Sequence, residues 1–172
     1  MIIITIMLDY DMSKKHITYH DNGQKCEEGF YKNGKKEGEW ASWYENGQKR
    51  KEFSVKDGKL NGLTTDWYDN GFQSFESTFK DGQFDGLYIY WHENGQKFLE
   101  LTMKKGEFNG LYTNWYENGQ KWSEGTFKDD KDDGLYTEWY ESGQLYRQRN
   151  YKGGKEVELI GIWNEDNPVM YD

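Results

Sequence analysis

Three histidines, one cysteine and a regularly recurring glutamate are the side chains in this chain whose types could perform chemistry. His16, His20 and His92 are the candidate general bases, and Cys26 is the single candidate thiol. A base works through a hydroxyl, thiol or carboxylate set within hydrogen-bond reach. None of the three histidines stands in such a nucleophile pattern, and His20 and His92 fall in a column otherwise filled by tyrosine. Both are expected to serve as aromatic substitutes. Every glycine reads as a turn residue and none opens a helix, so no phosphate cradle is available. The sequence therefore predicts no catalytic or cofactor-binding residue, no cofactor, and a protein that is not an enzyme.

Glu28, Glu52, Glu76, Glu100 and Glu124 recur at intervals of 24 residues. On one face of a sheet they would make an acidic strip able to meet a basic partner. The plainer reading pairs them with lysines four residues on (Lys32, Lys56, Lys80, Lys104, Lys128, Lys152), or has them keep the face soluble. Successive carboxylates would stand ~10 Å apart, two strands away from one another, which is too wide to share one metal ion.

The elements that hold these residues are periodic. Trp43, Trp67, Trp91, Trp115, Trp139 and Trp163 are spaced by 24, with Tyr19 one repeat earlier. Gly23, Gly47, Gly71, Gly95, Gly119 and Gly143 keep step, five of them preceded by Asn and the last by Ser142. Second and third glycine ladders follow, at Gly34, Gly58, Gly82, Gly106 and Gly154, and at Gly38, Gly62, Gly86, Gly110 and Gly134. Such self-similarity marks a repeat architecture. Asn-Gly and Asp-Gly pairs predict two-residue type I′ hairpin turns, and connections this short exclude parallel crossovers.

The expected fold is all-β, an elongated single-layer antiparallel meander of tandem 24-residue hairpins. About 12 or 13 strands at ~4.8 Å each would give a ribbon roughly 55–60 Å long. Six repeats fill residues 16–163, after a capping segment at 1–15 and before a tail at 164–172. A two-residue turn at Asn46-Gly47 would set Glu45 against Gln48, Tyr44 against Lys49, Trp43 against Arg50 and Ala41 against Glu52. One face then carries the Trp and Glu columns with Leu63, Leu87, Leu111 and Leu135. The other carries Tyr88, Tyr112 and Tyr136 beside Tyr31, Val55, Phe79, Met103, Phe127 and Tyr151. Trp43, Trp67, Trp91, Trp115 and Trp139, like Gly47, Gly71, Gly95 and Gly119, are read as structural.

Composition agrees with a folded, turn-rich chain. Mean hydropathy is −1.15 and net charge −9, values that often mark disorder. Yet 18% of the residues are aromatic, and large rings supply burial that aliphatic counts miss. One cysteine permits no internal disulfide and fits a reducing cytoplasm. The apolar run Met1–Leu8 is far too short to span a bilayer and reads as a strand, with either Met1 or Met12 as the natural start. The acidic balance argues against nucleic acid and anionic lipid as partners.

The phrases Trp-Tyr-Glu-Asn-Gly-Gln-Lys (115–121), Phe-Lys-Asp-Gly (79–82) and Asp-Gly-Leu-Tyr (85–88) resemble MORN-repeat variants over residues 16–163. Among bacterial proteins of this type the chain resembles the YwqK group, named as antitoxins. The resemblance implies a protein–protein interaction module of antitoxin or immunity type. The charge adds a basic protein as the partner, such as a toxin that acts on nucleic acid. A cell-surface module for carbohydrate or choline-like ligands and a structural spacer are the alternatives, and a homodimer through open strand edges is a further expectation. Recognition is assigned to residues that differ between repeats, Asp66, Tyr90, Asn114, Glu138, Phe98 and Trp122, and to the acidic Glu76, Glu100 and Glu124.

Overall fold

A computed structural model of the chain describes residues 13–165. Met1–Leu8, the choice of start and most of the 164–172 tail lie outside the described residues, while Ser13–Lys15 open the first strand. Every regular element among the described residues is a strand: β1 (Ser13–Tyr19), β2 (Lys25–Lys32), β3 (Lys35–Trp43), β4 (Lys49–Lys56), β5 (Lys59–Trp67), β6 (Gln73–Lys80) and β7 (Gln83–Trp91), followed by β8 (Lys97–Lys104), β9 (Glu107–Trp115), β10 (Lys121–Lys128), β11 (Lys131–Asp132), β12 (Gly134–Trp139), β13 (Leu145–Lys152) and β14 (Lys155–Ile162). All lie in one antiparallel sheet whose spatial order is the chain order, with the short β11 paired only to β10. The single-layer meander is as expected.

The two turns of each repeat differ in kind. At Asn33-Gly34, Asp57-Gly58 and Asp81-Gly82 both residues have positive φ, as do Lys105-Gly106 and Asp129-Asp130. These are the two-residue type I′ loops, closed by pairs such as Lys56 with Lys59. The Asn46-Gly47 turn corrects the expectation. Only Gly47 there has positive φ. The loop is three residues, Glu45-Asn46-Gly47, closed by Tyr44 N to Gln48 O and Gly47 N to Tyr44 O, both 2.9 Å. Asn46 Oδ1 accepts from Gln48 N at 2.9 Å, and this local bond replaces the left-handed backbone that a two-residue loop requires. Gln48 consequently faces Tyr44 and not Glu45, Lys49 faces Trp43 and not Tyr44, and the bulged residue is Arg50. Beyond the bulge, Ala41 meets Glu52 as expected.

The expected faces survive the other irregularity for a reason of parity. Between Phe53–Thr64 and Val55–Leu60 the chain advances two residues on β4 and four on β5. Two extra residues leave alternation unchanged. Gly62, at φ 107°, stands in that bulge. The face carrying Tyr88, Tyr112 and Tyr136, here the Tyr face, holds most of the core: Trp40, Val55, Phe75, Phe79, Leu101, Met103 and Tyr112 are buried. Ser42, Thr64, Ser77 and Ser123 fill the gaps between these larger side chains. On the opposite Trp face Ile89 is buried, and Leu63, Leu87, Leu111 and Leu135 remain exposed.

Candidate functional site

The Tyr face carries a continuous run of rings built by cross-strand neighbours. Phe79 meets Phe84 at 4.4 Å between centroids, Phe84 meets Tyr88 at 5.0 Å, and Phe75 lies 5.2 Å from Tyr88 and 4.9 Å from Tyr90. Leu101 and Met103 continue the strip to Tyr112, which stacks on Phe127 at 4.5 Å. Burial pushes the Tyr88 phenol up to about 12, assisted by a hydrogen bond with Tyr90. The Tyr112 and Tyr136 phenols are raised too, above all by burial.

The structure sorts the residues assigned to recognition. Asp66, Tyr90, Asn114 and Glu138 share one column, but three of them are engaged within the sheet. Asp66 pairs with Lys51 at 3.2 Å. Asn114 donates to Ser123 Oγ at 2.9 Å. Glu138 receives Arg147 at 2.7 Å and Arg149 at 3.0 Å. Tyr90 packs on Phe75 and Tyr88 yet stays 37% exposed, and Phe98 and Trp122 are exposed as well. Phe98 and Trp122 hold the bulge position of Arg50, which brings their rings to the loops: Phe98 meets His92 at 5.1 Å, and Trp122 meets Tyr116 at 6.2 Å.

The Glu column is engaged differently from the pairing with lysines four residues on. Lys25, Lys49, Lys97 and Lys121 bond Glu28, Glu52, Glu100 and Glu124. The bulge between them puts residues three apart on the same face, whereas residues four apart along a strand stand ~13 Å away. Each of these lysines also lies over a tryptophan of the next strand, Lys49 at 5.3 Å from the Trp67 ring centre. Glu76 instead receives Gln73 at 3.3 Å. Glu28 is held below the usual carboxylate range by hydrogen bonds from Lys25 and then Lys15. Four of the five carboxylates are thus neutralised in place.

Adjacent repeats are tied at their loops. Tyr44, Tyr68, Tyr116 and Tyr140 donate to the carbonyls of Trp67, Trp91, Trp139 and Trp163. His20 and His92 make the same contact through Nε2 to Trp43 and Trp115, at 2.9 and 3.2 Å. A carbonyl only accepts, so Nε2 carries the hydrogen. Asn22, Asn46, Asn70, Asn94 and Asn118 donate to the next loop's carbonyl. The five segments 14–33, 36–57, 84–105, 108–129 and 132–152 match the signature of the MORN repeat variant. The chain belongs to the MORN repeat variant family. The unmatched stretch between the second and third segments folds as the same MORN hairpin, β5–β6, although Phe72 and Gln73 replace the Gln-Lys of its neighbours. MORN repeats are generally associated with protein- or membrane-binding modules. No curated protein matches this chain.

At the loop end of the Tyr face, Tyr68, Tyr90, His92 and Phe98 line a cleft of about 590 Å³, with Glu93 and Glu117 at its rim. Burial, then the Glu93 charge, holds the Tyr68 phenol above its ordinary value. Among the described residues neither rim carboxylate has an ion-pair partner. They belong to a row of exposed acidic residues, one per loop: Asp21, Glu45, Asp69, Glu93, Glu117 and Glu141. Sequence reasoning selected Tyr90 and Phe98 but missed Tyr68, His92 and the rim. The recurring acid two residues before each turn glycine was the available signal.

Proposed function

We propose that this MORN-repeat chain is a non-catalytic protein-binding module of antitoxin or immunity type, acting in the cytoplasm on a basic protein. The observation that carries the reading is the acidic row beside an open aromatic cleft. Tyrosine and its ring neighbours are favoured anchors at protein interfaces. Exposed carboxylates along the loop edge would speed encounter with a positively charged surface. Basic surfaces are the common equipment of enzymes that act on nucleic acid, so an acidic binder can occupy their substrate cleft. The Glu column of the Trp face contributes less, because lysines already neutralise four of its five carboxylates.

The test is capture from the source cells with and without ~0.5 M salt, a concentration that screens long-range attraction. A basic protein retained at low salt is then purified, shown to bind directly, and co-expressed with this chain. Direct binding with relief of the partner's toxicity is the expected result. Recovery of no protein partner, or a partner whose toxicity is unchanged, overturns the reading.

A further inference from the structure

We propose that the cleft formed by Tyr68, Tyr90, His92 and Phe98 seats the guanidinium of an arginine from the protein partner, with Glu93 and Glu117 as its counter-charges. The inference rests on the binding reading above and names the chemistry of that site. The chain furnishes its own precedents. Lys36 stands 3.7 Å from the Trp40 ring centre and 2.7 Å from Glu27. Arg149 lies over Tyr136 and Tyr151, at 5.0 and 5.5 Å, and bonds Glu138. At both of these places on the Tyr face a cation lies on rings beside a carboxylate.

Two repeats beyond the cleft, the chain closes the equivalent slot with its own arginine. There Tyr140 meets Tyr146 at 4.9 Å, as His92 meets Phe98 at 5.1 Å. Glu138 replaces Tyr90, and Arg147 lies 5.3 Å over the Tyr146 ring while bonding Glu138 at 2.7 Å. The residue equivalent to Arg147 beside the cleft is Leu99, which brings no charge. One repeat before the cleft, the Phe98 position is Ser74, and Asp66 is already taken by Lys51. Among the described residues the central cleft therefore has rings and carboxylates but no internal cation. Arginine suits it better than lysine, because a planar guanidinium stacks on rings while its edge donates to carboxylates.

The experiment titrates the intact chain with a blocked Gly-Arg-Gly-Arg-Gly peptide, following backbone and indole amide resonances. The expected result is saturable shifts at Trp91, Asn94 and Gly95. The peptide with citrulline for arginine, the same shape without charge, should bind at least about tenfold more weakly. So should the Glu93→Gln/Glu117→Gln double variant, whose changes are at exposed positions. Leu99→Arg, which copies the internal plug of the last repeat, should abolish the shifts. Shifts elsewhere on the sheet, equal binding of the citrulline peptide, or choline binding as tightly as the arginine peptide each overturn the assignment. If the peptide fails while a captured basic protein still binds, the cleft assignment falls and the module reading stands.

Discussion

The Tyr44 hydroxyl donates to the main-chain carbonyl of Trp67 at 2.7 Å, across one full repeat. The bond joins the loop of one hairpin to the strand end of the next, and tyrosine or histidine repeats it along the sheet. In a one-dimensional array stability is close to a sum of repeat and interface terms. Tyr44→Phe removes one interface hydrogen bond and keeps the ring. It should lower stability by about 1 kcal/mol in urea titrations. An unchanged urea midpoint would deny the bond any role in coupling repeats.

Asn118 does two jobs that only an amide combines. Its Oδ1 accepts from Gln120 N at 2.9 Å, and its Nδ2 donates to Glu141 O at 2.8 Å. Asn118→Asp keeps the first bond, deletes the second and sets a carboxylate against a carbonyl oxygen. A loss of about 1–2 kcal/mol is expected. Asn118→Asp as stable as the parent at neutral pH would show that the loop-to-loop bond is dispensable.

Glycines at different places in the repeat should respond to very different degrees. A Cβ on Gly29 would lie 2.2 Å from the ring of Trp40, which is fully buried. Gly29→Ala must displace that ring, at about 2–3 kcal/mol. Gly106 has φ 84° but open space around it, and its equivalent one repeat on is Asp130 at φ 61°. Gly106→Asn should cost under about 1 kcal/mol, since Asn tolerates the left-handed region. Denaturation curves ranking the two the other way would contradict the packing described for Trp40.

The fold was legible because its signals are local. A glycine ladder in 24-residue phase states where the chain must turn, and short loops leave only antiparallel pairing. Asn46-Gly47 misled about turn type, because the Asn side chain bonds locally and the sequence pair alone does not display that choice. The shift it caused was confined to the loop end, where Tyr44 and Trp43 move to Gln48 and Lys49 and Arg50 bulges, and the faces stayed correct because the second bulge adds an even number of residues. The cleft was half legible. Tyr90 and Phe98 stand out as departures from their columns, but their proximity depends on the bulge that carries Phe98 to the loop. The partners of Asp66, Asn114 and Glu138 were hidden because each lies on a neighbouring strand whose exact register decides the contact.

Alkaline conditions should weaken the ribbon through its buried phenols. Tyr88 is pushed up to about 12, chiefly by burial, and Tyr112 and Tyr136 are raised for the same first reason. An unfolded phenol titrates near ~10. Below that value the stabilisation is whole; above it the unfolded chain releases protons the folded chain retains, so stability falls as pH rises, for Tyr88 between ~10 and about 12. Urea midpoints should therefore drop between pH ~9 and ~11.5, and less steeply in Tyr88→Phe. Parallel profiles for the two proteins would remove Tyr88 from the effect.

Glu138 closes the C-terminal end of the Tyr face by serving two arginines at once. Its side chain is 13% exposed and that of Arg149 is 17% exposed, so Glu138→Gln leaves two guanidinium groups short of their counter-charge in a poorly hydrated place. Arg149 keeps only Glu156, at 3.4 Å, and the rings of Tyr136 and Tyr151. A destabilisation of about 2 kcal/mol is expected, below that of a wholly buried pair. Because each repeat touches only its neighbours, the loss should appear first as faster amide exchange in β12 to β14, with β5 to β8 unaffected. Uniformly faster exchange along the sheet would instead mean that the array unfolds as one cooperative unit.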